Sequence, residues 1–205
     1  SGTTGPAFFT VERKDGSKSW YGDRAADTTD LVDGYFNATT TGKEGFALAW
    51  SQTRFQDSTG NYIDYIYSEK PASGTAGEQL ISEVRYTGKK VLPGQSGSAS
   101  APYAKVVFNY NARPTTQWEY RYTSGGQYVQ SRRLDSVTVC ATMACGVADQ
   151  ARHYVLTYGT TVSSSGRDIL TRLKECRDNT QGVCMAPTNF EWSQANNNFV
   201  TYEEP

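Results

Sequence analysis

Lys105-Val106-Val107-Phe108-Asn109-Tyr110 decides the fold: Val106, Phe108 and Tyr110 fall on one side of an extended chain, with polar Lys105 and Asn109 on the other. A helix has no use for a period of two, whereas a strand with one wet face requires it. The same scheme recurs in both directions. Upstream, Phe46-Ala47-Leu48-Ala49-Trp50 sets its large side chains on one face. Downstream, Trp118-Glu119-Tyr120-Arg121-Tyr122 opposes three rings to a charge pair, and Tyr154-Val155-Leu156-Thr157-Tyr158 and Phe190-Glu191-Trp192 repeat the pattern. Between them lie Lys14-Asp15-Gly16-Ser17, Ser58-Thr59-Gly60-Asn61, Thr87-Gly88, Ser124-Gly125-Gly126 and Ser163-Ser164-Ser165-Gly166. Each supplies Gly or Asn for the positive φ of a tight turn.

No segment has the length and periodicity of a helix that could cross over between parallel strands, so the expected class is all-β: an antiparallel meander or sandwich with at most short helices. The one stretch where a short helix is expected is Arg167 to Arg172. Two segments, 70–77 and 92–102, are small, polar and rich in Pro and Gly, and read as long surface loops. The second marks the best sub-boundary, but strand alternation continues across it, and a single module over 1–205 is expected. The opening Ser1-Gly2 reads as a scar of expression, and the chain as a piece of something longer.

The 205 residues carry 20 Lys and Arg against 21 Asp and Glu, a net charge of -1, with the cations scattered. No basic stripe marks a nucleic-acid partner. The pairs Lys89-Lys90 and Arg132-Arg133 read as solvated surface. No apolar run reaches the ~18 residues needed to span a bilayer.

Cys140, Cys145, Cys176 and Cys184 fall in two close pairs in the last third. Two cysteines flanking a tight turn can meet the ~5.5 to 6 Å Cα separation of a disulfide, which favours two hairpin clips and an oxidising compartment. A four-thiolate zinc site is the rival reading, although its knuckles normally use C-x2-4-C spacing. The segments Arg133 to Cys140 and Arg172 to Cys176 echo each other, each running from Arg-Leu into a Cys, and suggest neighbouring hairpins built alike.

The run from Arg54 to Tyr67, with Asp57, Gly60-Asn61 and Tyr65-Ile66-Tyr67, resembles the strand-turn-strand unit of Rhs/YD-repeat proteins. The order of landmarks is similar to the SpvB-like region in the B components of insecticidal toxin complexes. Those landmarks include Phe9 to Gly16, Trp50 to Tyr67, Glu83 to Gly88, Val107 to Tyr110 with Arg113-Pro114, Arg133 to Val137, Tyr154 to Gly159, Leu173 to Cys176 and Pro187 to Trp192. The resemblance implies a shell or scaffold part, secreted or surface-exposed, packing against neighbouring domains of one large protein or other toxin-complex subunits. The ADP-ribosyltransferase activity of the family belongs to a separate domain that nothing here matches. The paired cysteines depart from the toxin-complex members.

Candidates for chemistry are few. His153 is the sole histidine, so a Ser-His-Asp or Cys-His arrangement would have to use it; it reads as a surface or strand-packing residue. Glycosidase-type carboxylate pairs can be drawn, Asp57 with Asp64 or Glu83 with Glu119, but Asp57 is better used capping its turn. Asp23, Asp27, Asp30 and Asp33 lack the spacing of a calcium loop. Trp20, Tyr21, Trp118, Tyr120 and Tyr122 could stack a sugar or line a protein interface, against the alternative that they fill the core. The expectation is a non-catalytic structural or interaction module without cofactor or metal, with carbohydrate binding as the alternative and hydrolysis the least supported.

Overall fold

A computed structural model describes residues 6, 8–22, 35–37, 47–70, 78–123, 126–159 and 167–193. The turns at 124–125 and 163–166, most of the loop at 70–77 and the four aspartates from 23 to 33 lie outside them.

The alternating sequence becomes strand nearly throughout. In chain order the strands are β1 (Phe8–Glu12), β2 (Lys18–Gly22), β3 (Tyr35–Asn37), β4 (Ala47–Trp50), β5 (Gln52–Gln56), β6 (Asn61–Lys70) and β7 (Glu78–Lys89). They continue with β8 (Ala104–Ala112), β9 (Glu119–Thr123), β10 (Gly126–Gln130), β11 (Arg132–Cys140), β12 (Gln150–Tyr158), β13 (Leu170–Cys176) and β14 (Thr188–Asn189). Ten of them form one antiparallel sheet in the order β1-β2-β5-β6-β7-β8-β11-β12-β13-β14, while β3-β4 and β9-β10 pair as separate hairpins. It is a meander interrupted twice by an inserted hairpin. The only helical segments among the described residues are single 3-10 turns at Thr115–Gln117 and Val147–Asp149.

Three local expectations are corrected. Arg167 to Arg172 is not helical, because its Leu170 to Arg172 half opens β13 and pairs with β12, and the ladder outweighs local preference. Thr87-Gly88 is not a turn but a bulge inside β7: Tyr62 faces Gly88 while Asp64 faces Arg85, and Thr87 takes the extra residue at φ 78. The last strand is only Thr188–Asn189, with Phe190 to Trp192 beyond it. The loop at 92–102 forms as expected, yet β7 pairs with β8 across it, so the sheet runs through.

The meander sorts its connections by end. The links at 13–17, 57–60, 90–103, 141–149 and 177–187 all fall at one end of the sheet; both inserted hairpins leave from the other. The pleat sorts side chains by face. Phe55, Ile63, Tyr65, Val84, Val106, Val139 and Tyr154 share one face, each half-buried. The opposite face carries Arg54, Asp64, Arg85, Glu83, Lys105, Thr138 and His153. Among the described residues, buried hydrophobic side chains are few, namely Tyr62, Ala104, Val129, Cys140 and Cys176, while twelve polar or charged residues are buried. Partnered polar groups therefore carry much of this interior.

Candidate functional site

The polar face carries two sets of ion pairs on neighbouring strands. Cross-strand neighbours β5 and β6 place Arg54 opposite Asp64, and the guanidinium grips the carboxylate with two bonds, Nε to Oδ1 at 2.5 Å and Nη2 to Oδ2 at 2.7 Å. Both side chains are almost fully buried, where a lone charge would be costly and a two-pronged pair is tolerated. Arg54 also lies 4.0 Å from the centroid of the Tyr62 ring. The next strands continue the row: Glu83 accepts from Arg85 and from Lys105 Nζ, both at 2.8 Å. Burial pushes the Glu83 carboxyl up, but the bonds from Lys105 and Arg85 outweigh it and leave it below its ordinary value.

Farther along the same face, His153 Nδ1 sits 2.9 Å from Thr138 Oγ1, with His153 opposite Thr138 on β11 and Cys176 on β13. Burial lowers its pKa below the ordinary value, with Asp135 and Asp178 pulling upward and Lys174 downward. His153 is thus a strand-packing residue, bonded to a threonine hydroxyl.

A second network fixes the β9-β10 hairpin. Glu78, buried at the start of β7, accepts from Ser131 Oγ, the Arg132 amide and Arg132 Nε. Arg113 pairs with Glu119 at 2.8 Å and with Asp168 at 3.0 Å, and Asp168 also holds Arg133, whose guanidinium lies 4.7 Å from the Tyr158 ring centroid. Arg132 and Arg133 are therefore half-buried ion-pair partners, not the solvated surface pair expected from their turn-flanking position. The carboxylates suggested as glycosidase pairs are each engaged by neighbours. Asp64 belongs to Arg54, Glu83 to Lys105 and Arg85, and Glu119 to Arg113 and Arg121.

Asp57 caps its turn as the sequence suggests. Oδ1 accepts from the Thr59 and Asn61 amides, both at 2.9 Å, and Oδ2 from Asn61 Nδ2 at 2.8 Å. Burial raises this carboxyl, but Asn61 and Thr59 bring it below its ordinary value. Asp15 and Asp178 cap the turns of Ser17 and Thr180 in the same way, and those bonds lower both carboxyls. The three caps share an Asp-x-Ser/Thr spacing that is legible in the sequence.

Both disulfides form, Cys140–Cys145 and Cys176–Cys184, and no free cysteine remains. Cys140 ends β11 and Cys176 ends β13, both fully buried, so the echo between the two segments is a real structural repeat. Cys176 and Cys184 face each other across antiparallel backbone, a hairpin clip as expected, whereas Cys140–Cys145 is not one. Cys140 pairs in the ladder with Gln150, and its disulfide closes the connection onto its own strand. Gln150 ties the two disulfide loops together, accepting from the Asn179 amide at 2.7 Å and donating to the Cys145 carbonyl at 3.4 Å.

The candidate binding aromatics are not gathered into one platform. Trp20 and Tyr21 are half-buried on β2 in the large sheet; Tyr120 and Tyr122 lie on β9 in a separate hairpin, 54% and 71% exposed. Trp118, half-buried, donates its indole N–H to the Arg113 carbonyl at 3.2 Å. Tyr120 and Tyr122 are thus surface residues, not core. Phe8, Phe9 and Val11 of β1, absent from the expected set, are 48%, 43% and 42% exposed. The alternation of Phe9 and Val11 with Thr10 is the sequence signal for them.

No protein-family model matches the chain, and no curated protein matches it. Solved structures do. The chain superposes on the structure titled TcdB2-TccC3-Cdc42 with TM-score 0.64 and 14% identity, over 91% of this chain and 10% of that one. It superposes on the Photorhabdus luminescens Tc holotoxin pore carrying the TccC3-D651A mutation with TM-score 0.64 and 13% identity, over 90% and 10%. The N-terminal domain of effector protein SpvB from Salmonella typhimurium strain LT2 gives TM-score 0.55 at 12% identity, over 91% and 61%. The chain thus spans a tenth of the toxin chains it matches, and what it shares with them is the fold.

Proposed function

We propose that this chain is a non-catalytic scaffold module of a large, secreted, toxin-complex-type protein, contributing sheet to a shell and packing against neighbouring domains or subunits. The observation that carries it is the ion pairing on the polar face: Arg54 with Asp64, and Glu83 with Arg85 and Lys105, engage both carboxylates on four neighbouring strands. Such groups hold a sheet rigid instead of waiting for a substrate. Fold likeness to Tc toxin components and to the SpvB N-terminal domain supports the toxin setting, and two disulfides support an oxidising, extracellular compartment.

The test places Asp64→Asn in the toxin-type protein that carries this module. Assembly of the complex, followed by size-exclusion chromatography, should fall, while the intrinsic activity of the cargo domain stays at wild-type level. Unchanged assembly, together with substrate turnover by the isolated module, overturns the reading.

Exposed Tyr120 and Tyr122 favour one second reading, carbohydrate binding. A glycan array decides it. Saturable binding lost in Tyr120→Ala and Tyr122→Ala supports it, and silence across the array removes it.

A further inference from the structure

The two rims of the ten-stranded sheet are finished differently. At one, β14 is two residues long, follows Pro187, and lies beside the Cys176–Cys184 disulfide, all devices that discourage further pairing. At the other, β1 runs five residues as Phe8-Phe9-Thr10-Val11-Glu12, every one exposed, with no proline and with its one charge at the end, already bonded to Lys18. Natural sheets rarely leave so apolar an edge unguarded.

The backbone of β1 says what would cover it. Arg13 N–H bonds to the Ser17 carbonyl, and Gly22 N–H turns away from β1 to the Ser51 carbonyl on the β5 side. With the register Phe8↔Gly22 through Glu12↔Lys18, alternation makes Phe9 and Val11 the residues that bond β2. Phe8, Thr10 and Glu12 then point their N–H and C=O groups away from the sheet, and among the described residues no strand pairs with that rim. A row of donors and acceptors at strand spacing is matched by another extended backbone. Phe9 is held in place from behind by Trp50, edge-on at 5.0 Å, while the Trp50 indole N–H bonds the Pro6 carbonyl.

We infer that the outer rim of β1 is a strand-acceptor site, occupied by an extended segment of a different polypeptide that continues the sheet past Phe8–Glu12. This rests on the scaffold reading and names the kind of partner such a scaffold takes. Its side chains should alternate, apolar opposite Phe9 and Val11 and small or polar opposite Thr10. A second copy is a poorer occupant: antiparallel pairing centred on Thr10 would set Glu12 against Phe8 at both ends.

The probe is the peptide acetyl-Lys-Thr-Val-Thr-Val-Thr-Lys-amide, titrated into the 15N-labelled 205-residue chain and followed by amide shifts. Shifts should saturate and centre on residues 8–12. A peptide N-methylated at alternate residues, lacking the donors, should bind at least tenfold more weakly. Thr10→Pro deletes an outward donor without touching the β2 ladder, and Thr10→Lys crowds the rim while keeping the backbone intact; both should abolish binding, and Thr10→Lys should keep the wild-type urea midpoint. Absence of binding, shifts centred elsewhere, or equal binding of the N-methylated peptide overturns the site. So does a concentration-dependent dimer in sedimentation that Thr10→Lys dissolves, which would make a second copy the occupant. Loss of peptide binding with toxin assembly intact removes only this inference, whereas substrate turnover with peptide binding intact removes only the scaffold reading.

Discussion

Gly88→Ala should be among the most damaging single-methyl additions this sheet can suffer. Gly88 lies directly opposite Tyr62 in the β6-β7 ladder, and a Cβ there would stand 2.3, 2.5 and 2.6 Å from Cζ, Cε2 and Cε1 of the Tyr62 ring. Ordinary contact begins near 3.4 Å, so the ring must retreat by about 1 Å. It has little room, being 8% exposed and carrying the Arg54 guanidinium, which is itself locked onto Asp64. Overpacking of this kind costs about 1 to 3 kcal/mol, and loosening the cation–π contact about 0.5 to 2 more, giving about 1.5 to 5 kcal/mol in all. With a urea slope of about 2 kcal/mol per molar, the midpoint should fall by about 0.8 to 2.5 M. The control is a cycle with Tyr62→Ala. Once the ring is gone, Gly88→Ala should be neutral or stabilise by about 0.5 to 1 kcal/mol, since Gly weakens a strand interior. A Gly88→Ala midpoint within about 0.2 M of wild type, or the same loss with and without the Tyr62 ring, refutes the reasoning.

Asp64→Asn leaves Arg54 buried with its partner's charge removed and should cost about 3 to 5 kcal/mol, measured by the same urea titration; a loss below about 1 kcal/mol would mean the pair is dispensable. Reducing the disulfides should lower stability by roughly 2 kcal/mol for each of the two short loops, and the oxidised chain should weigh four hydrogens less by mass spectrometry. His153 titrates lower in the folded chain than in the unfolded one, so the unfolded state takes up the proton first on acidification. Stability from this residue is present above about pH 6.5 and is lost as pH falls through and below that value. His153→Gln should flatten the midpoint-versus-pH curve between about pH 5 and 7, and an unchanged slope there would refute the assignment.

Period-two stretches such as Lys105 to Tyr110 carried the strands, because alternation of apolar and polar side chains needs no knowledge of partners. Asp57 with Thr59 and Asn61 carried a turn for the same reason, since every hydrogen bond in it spans four residues or fewer. The cysteines followed from their spacing. What failed were features whose cause lies on another strand. Arg167 to Arg172 loses its helix to β12, Thr87-Gly88 becomes a bulge because Tyr62 needs a bare backbone to lie against, and Arg132-Arg133 is drawn inward by Glu78 and Asp168.

The candidate site shows the same division. In sequence Asp64 and Glu83 read only as members of possible carboxylate pairs, with Asp57 and Glu119, and no local pattern joins them to Arg54, Arg85 or Lys105; the residues holding one another are up to 22 positions apart along the chain. By itself the sequence determined that this chain is all-β, antiparallel and clipped by two short disulfides, since alternation, turn chemistry and cysteine spacing act over a few neighbouring residues. Only the tertiary structure decided which charges meet and which strands stand at the rims of the sheet, because register and strand order are set by pairing between segments that no local pattern brings together.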